Sequence, residues 1–322
     1  MHGSRHPNPA SARASTALPP RGEPAALPLG AVLAALGANM ALAFGPLFVR
    51  LADVGPVAAG FWRLALAAPI LVAAGFFARG GYRGAAPLLG ILVVGGIAFA
   101  ADLGSWHLGI KQTTLANATL FGNSATLIFP VYGFLVARAW PTRSQAVALL
   151  IAAAGGGLLM GRSYSASADH LVGDLLCMLA GALYAVYFVA MARARERLGP
   201  VPVLALSTVA GLLPLLASAW LLGETIWPRD WQPLILLALG SQLIGQGLMI
   251  YALGVLPPLV IGVALLVQPV VAAMIGWLWF DERLGWPDVV GAMLVAAALV
   301  LIRRKPVATP PPVPKDVPET IA

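Results

Sequence analysis

Charge is scarce in this chain: only 10% of its 322 residues are Asp, Glu, Lys or Arg, against about 25% in an ordinary soluble domain. Together with a hydrophobic content of 59%, that scarcity excludes a water-soluble globular fold and marks an integral membrane protein. Cysteine is nearly absent, and the single Cys177 rules out an intrachain disulfide or a cysteine-built zinc site. Histidine is sparse, and His2, His6, His107 and His170 are too scattered for a metal site, so no cofactor is expected. There is no GxxxxGK phosphate loop and no stretch large enough to fold as a soluble nucleotide-binding domain, which excludes a primary pump. An HExxH zinc helix and a GxSxG elbow are also missing, which counts against an enzyme.

Long apolar runs fill the space. Ten are readable, over about 28–49, 56–78, 86–108, 112–137, 144–161, 171–192, 201–222, 231–252, 258–280 and 286–302. Each approaches the ~20 residues that a spanning helix needs. They are continuous and rich in Ala, Leu and Gly, unlike the short alternating segments of a membrane barrel. A helix satisfies its own backbone in lipid, so ten transmembrane helices are predicted. The first 26 residues are rich in Pro and Arg, and the first run is too long for a cleavable signal, so it is read as the first span. Residues 1–27 and 305–322 are predicted to be flexible cytoplasmic tails.

The basic residues set an orientation. With the amino end inside, 14 Lys and Arg residues fall on inside segments and 5 outside, with Arg63 left within a span. That split follows the positive-inside rule and places both termini in the cytoplasm. The net charge of +7 is thereby read as topology, and no nucleic-acid partner is expected.

The two halves echo each other. Gly55-Pro56 matches Gly199-Pro200 at an offset of 144, and Trp106-His107-Leu108-Gly109 matches Tyr251-Ala252-Leu253-Gly254 at 145. Each half holds five spans, predicted as repeats over 28–162 and 170–304. Five is odd, so the second repeat enters the membrane in the opposite sense. Such inverted repeats place a substrate near the midplane in many secondary transporters.

Buried charge then singles out a site. Asp102 and Arg63 both lie within apolar runs, at a depth of roughly 10 Å from the outer end by the helical rise of 1.5 Å per residue. An intramembrane charge costs on the order of 3 kcal/mol, so it needs a partner or a task. The depths allow a salt bridge between them, and two roles stay open: a structural pair, or a border of the substrate route. Asp102 is also a candidate proton carrier. The repeat offset carries Arg63 to Ser207 and Asp102 to Gln246, and Asn123 to Gln268, so the ionic groups belong to the first half. The fourth run is dense in Thr113, Thr114, Asn117, Thr119, Asn123, Ser124 and Thr126. Its Asn side chains, with donor and acceptor groups, are the better cavity candidates. Ser241, Gln242, Gln246 and Gln268 supply comparable groups in the second half. The expected substrate-binding set is Arg63, Asp102, Trp106, His107, Asn117, Asn123, Gln246 and Gln268, with Trp62, Tyr184 and Tyr251 as further aromatic surfaces. Pro46, Pro69, Pro130, Pro214 and Pro269 predict bent helices.

These residues resemble the drug/metabolite transporter superfamily, and its EamA-type members in particular. The likeness covers roughly 28–304 and is carried by Gly55-Pro56 with Phe61-Trp62-Arg63, by Asp102-Leu103-Gly104-Ser105-Trp106-His107, and by Thr114-Leu115-Ala116-Asn117-Ala118-Thr119-Leu120. In the second half it is carried by Gln268-Pro269, Asp281-Glu282-Arg283-Leu284 and Gly291. The first half departs from that pattern, with Ser124 opposite Pro269 and Ala137 opposite Glu282. The resemblance implies a bacterial inner-membrane carrier of small metabolites, often an exporter of amino acids or similar solutes. A secondary transporter coupled to a proton or a counter-substrate is thus the expected function, with a membrane-embedded enzyme or a channel as rivals. Oligomeric state is not legible in the sequence.

Overall fold

A computed structural model describes residues 27–110, 112–113, 121–138, 140–161, 168–279 and 285–304. Among them all regular structure is helical. The first run divides into α1 (Leu29–Ala43) and α2 (Gly45–Leu51). Pro46 causes the break, because it has no N–H to return to the Leu42 carbonyl and its ring crowds the preceding turn. The second and third runs are α3 (Pro56–Phe77) and α4 (Leu89–Ile110), and α3 begins on Pro56, which is preset for a first helical position. Helix α5 (Ala125–Ala137) occupies the fourth run and α6 (Arg143–Gly161) the fifth.

The second repeat follows with α7 (Leu171–Arg195) and α8 (Pro200–Leu221). Its third run has three parts: α9 (Gln232–Leu237), a π-helical segment (Ala238–Gln246) and α10 (Gly247–Leu253). The ninth run is α11 (Pro258–Leu265) and α12 (Val267–Trp279), broken at Leu266 because Pro269 leaves the Leu265 carbonyl without its helical donor. Helix α13 (Trp286–Arg304) is last. Every one of the ten predicted runs therefore contains a helix. Six of the runs are 22 to 25 residues long and apolar enough to cross a membrane.

Packing repeats the duplication. Helix α3 packs on α8, α5 on α11 and α6 on α13, each the counterpart of the other in the two halves. The contact of α1 with α10 and the π-helical segment is mirrored by that of α7 with α4. Exchanging the halves thus returns the same set of pairings, as two inverted five-helix repeats require. Small residues permit the closest crossings: a carbon added at Gly211 on α8 would lie 3.1 Å from the Gly96 carbonyl oxygen of α4. Lipid supplies no hydrophobic drive between helices, so such close backbone packing carries their association.

The outer surface carries many large apolar side chains. Phe77 is 90% exposed and Leu213 73%, a cost in water that vanishes against lipid chains. Trp140, Trp220, Trp227 and Trp286 are exposed at or beyond helix ends, where the indole suits the membrane interface.

Candidate functional site

Seven of the eight predicted site residues meet at one cavity. Arg63 comes from α3, Asp102, Trp106 and His107 from α4, Asn123 from the turn before α5, Gln246 from the end of the π-helical segment and Gln268 from α12. Asn117 lies outside the described residues, as do Thr114, Thr119, Asp281 and Glu282. The cavity measures about 160 Å³, room for on the order of ten waters, or for a small metabolite. Leu42, Pro46, Phe99, Leu265 and Pro269 complete an amphipathic wall. The kinks at Pro46 and Pro269 are thus part of the lining.

The direct salt bridge between Arg63 and Asp102 is not made. Arg63 instead turns across the repeat interface, where its Nε donates to Gln242 Oε1 at 3.0 Å. Gln242 is fully buried, and its Nε2 donates in turn to Thr208 Oγ1 at 2.9 Å. The guanidinium also lies 5.4 Å from the centre of the Phe99 ring, a favourable cation–π distance. Phe99 in turn stacks on Tyr187 with ring centres 4.6 Å apart. Among the described residues Arg63 Nη2 has no hydrogen-bond partner. Asp102 faces the same cavity as a separate carboxyl group, so the site holds a basic and an acidic side chain that do not bond each other.

Amides tie helices together around this pair, one bond within the second repeat and one across the repeat interface. Gln246 Nε2 donates to the Tyr184 hydroxyl at 3.2 Å. Gln268 Nε2 donates to Asn39 Oδ1 at 2.8 Å, and Asn39 Nδ2 donates to its own helix at the Ala35 carbonyl, 2.7 Å away. The offset of 145 carries Asn39 to Tyr184, so these are equivalent positions, as are Asn123 and Gln268. His107 is buried beside Gly60. The aromatic candidates divide: Trp106 and Tyr184 line the cavity, whereas Tyr251 is 40% exposed and does not. Trp62 also turns away, because its indole N–H donates to the Ile226 carbonyl at 2.6 Å.

Sequence reasoning missed Asn39 altogether and left Gln242 and Tyr184 outside the expected set. A lone Asn in the Ala-rich first run carried the same signal as Asp102 in weaker form, namely a polar group that lipid cannot satisfy. Nothing in the spacing separates Gln242, which grips Arg63, from Gln246, which faces the cavity. The π-helical turn that displays both has no readable sequence rule, although such wide turns recur at functional sites.

At one end of the bundle the loop after α8 holds the start of α3. The Gly55 N–H donates to the Thr225 carbonyl at 2.9 Å, and the Ala58 N–H to Glu224 Oε2 at 2.8 Å. A side chain at Gly55 would collide with the Glu224 carboxylate, so glycine is required there. Asp53 Oδ2 accepts from the Arg229 N–H at 2.8 Å, and Trp62 packs edge-on against Trp231 with ring centres 4.8 Å apart. A carboxylate at a helix start satisfies a free N–H and opposes the helix dipole.

Two separate stretches, 29–161 and 171–304, match the model of the EamA-like transporter family. The chain belongs to that family. Each stretch holds one of the two sets of five paired spans, so the EamA-like repeat is also the unit of the fold. No curated protein sequence matches the chain. A solved structure described only as "Crystal structure of protein" has a TM-score of 0.72 at 17% identity, over 84% of this chain and 96% of its own. At that identity the likeness establishes a shared fold and nothing about substrate.

Proposed function

We propose that this EamA-like transporter is a secondary carrier that exports a small metabolite, an amino acid or a related compound, across the bacterial inner membrane by alternating access. The observation that carries the reading is a cavity between the repeats with an arginine and a carboxyl group on its wall that do not bond each other. A zwitterion brings one group of each sign and answers both. Desolvating an uncompensated charge is expensive, so a solute that neutralises each wall charge gains more than a neutral one of equal size.

Family membership supports transport, and the missing phosphate loop leaves a gradient or an exchange as the energy source. A coupling proton or a counter-substrate fills that role, with Asp102 the carboxylate placed to take part. The excess of Lys and Arg on the tails and on the loops of the same side supports cytoplasmic termini.

Thermal unfolding of the purified chain against a metabolite library tests the reading. A ligand that binds the folded state raises the unfolding temperature by mass action. Amino acids and related zwitterions should give the largest shifts, and those hits should be transported into proteoliposomes with saturation. Shifts confined to neutral solutes, or chemical conversion of a hit, would overturn the reading.

A further inference from the structure

We propose that Gln242 is a positioning residue: by fixing the Nε edge of Arg63, it leaves the amino edge of the guanidinium to anchor the carboxylate of the carried solute. This rests on the reading of the cavity as a solute site and adds which group holds the carboxylate and which aims it.

A guanidinium presents its donors in a fixed plane, so fixing one edge orients the rest. Arg63 Nε is committed to Gln242 Oε1 at 3.0 Å. Gln242 cannot turn freely, because its amide nitrogen is committed to Thr208 Oγ1 at 2.9 Å and the whole side chain is fully buried. The Phe99 face, 5.4 Å from Cζ, restrains the same plane from another direction. Arg63 is only 8% exposed, and what it exposes borders the cavity. Nη2 is itself buried at the cavity wall and lacks an acceptor among the described residues, so a solute would have to reach it by a small shift of the wall. A buried guanidinium without its full set of acceptors has a large desolvation cost outstanding. A carboxylate offers two oxygens in matching geometry and meets that cost with paired, charge-assisted hydrogen bonds.

Origin strengthens the assignment. Arg63 belongs to the first repeat, whereas Gln242 and Thr208 belong to the second, on the π-helical segment and α8. The anchor is therefore aimed from across the repeat interface, and a relative movement of the repeats would release Gln242 and change the grip on the carboxylate. Gln242 touches no cavity surface itself, which separates it from Gln246, one turn further along the same segment.

The experiment uses full-length protein in detergent, with each common L-amino acid and its carboxamide as probes, comparing wild type with Gln242→Leu and Gln242→Glu. Wild type should prefer acid over amide. Gln242→Leu should lower that preference about tenfold while amide binding changes much less; the unfolding temperature without ligand should also fall, because Arg63 Nε and Thr208 lose a buried partner. Gln242→Glu keeps an acceptor for Nε but sets a negative charge against Arg63, and should lower the preference at least as far. A merely structural glutamine would weaken acid and amide equally, with the ratio unmoved. Wild-type binding with an unchanged ratio in both variants overturns this proposal and leaves the solute site standing; failure of wild type to bind any probe overturns both.

Discussion

The starts of α3 and α8 are equivalent points in the duplicated sequence, Gly55-Pro56 and Gly199-Pro200, yet they are held differently. The first is clasped by Glu224, Thr225 and Ile226 from the loop after α8. The loop after α3, its counterpart, offers Arg79 and Gly80 where the other offers Glu224, and a carbon added at Gly199 would come only within 3.9 Å of the Arg79 carbonyl oxygen. The same division runs through the cavity, where the first repeat supplies Arg63 and Asp102 and the second supplies Gln246 and Gln268, with Gln242 behind Arg63. Duplication has preserved the helix pairings, while of these two equivalent helix starts only the first is held by a carboxylate.

The largest effect should come from breaking the charge difference. Arg63→Gln should lower transport efficiency about a hundredfold, since truncating one partner of a buried charged contact costs about 2–5 kcal/mol. Its repeat equivalent, Ser207, only returns a hydrogen bond to its own helix at the Leu204 carbonyl, 3.1 Å away. Ser207→Ala should therefore leave transport within about twofold of wild type, measured as initial uptake rates in proteoliposomes.

Next in size are the amide ties. Gln268→Leu removes the donor to Asn39 Oδ1, and an acceptor left buried and unpaired costs about 1–3 kcal/mol. The unfolding temperature in detergent should fall, and combining the change with Asn39→Leu should restore part of the loss. A double-mutant cycle that is additive would show that the bond couples nothing.

The clasp should contribute less. Glu224→Gln weakens a helix cap, worth about 1 kcal/mol, and amides in the first turn of α3 should exchange with solvent about fivefold faster by mass spectrometry. Unchanged protection would mean that the backbone bond at Thr225 suffices. The smallest effect belongs to Arg79→Glu, which places a carboxylate at the other helix start. A few tenths of a kcal/mol of added protection in the first turn of α8 is expected from the dipole.

The scaffold was legible because its signals are long and physical. Runs of apolar residues and an odd span count suffice to draw ten helices, but of the five prolines expected to bend them only Pro46 and Pro269 fall at breaks, while Pro69, Pro130 and Pro214 lie inside continuous helices. Asp102 and Gln246 were legible as counterparts because the repeat offset relates them. Arg63 was found by its cost in lipid, but its choice of Gln242 over Asp102 was not, since both partners lie on helices whose rotation no single-chain pattern fixes. The clasp by Glu224 was invisible for a similar reason: it joins residues 166 apart through a loop without periodicity. Asn39 was missed because one amide in an Ala-rich helix stands out only when the helix facing it is known.

Counterflow in proteoliposomes loaded with an unlabelled amino acid that binds the protein tests the central claim most directly. Wild type should accumulate the labelled amino acid transiently and with saturation, and Arg63→Gln in equal amount should lose that overshoot. A linear, unsaturable influx in wild type, or an undiminished overshoot in the variant, would contradict a carrier that grips its solute at Arg63 between the repeats.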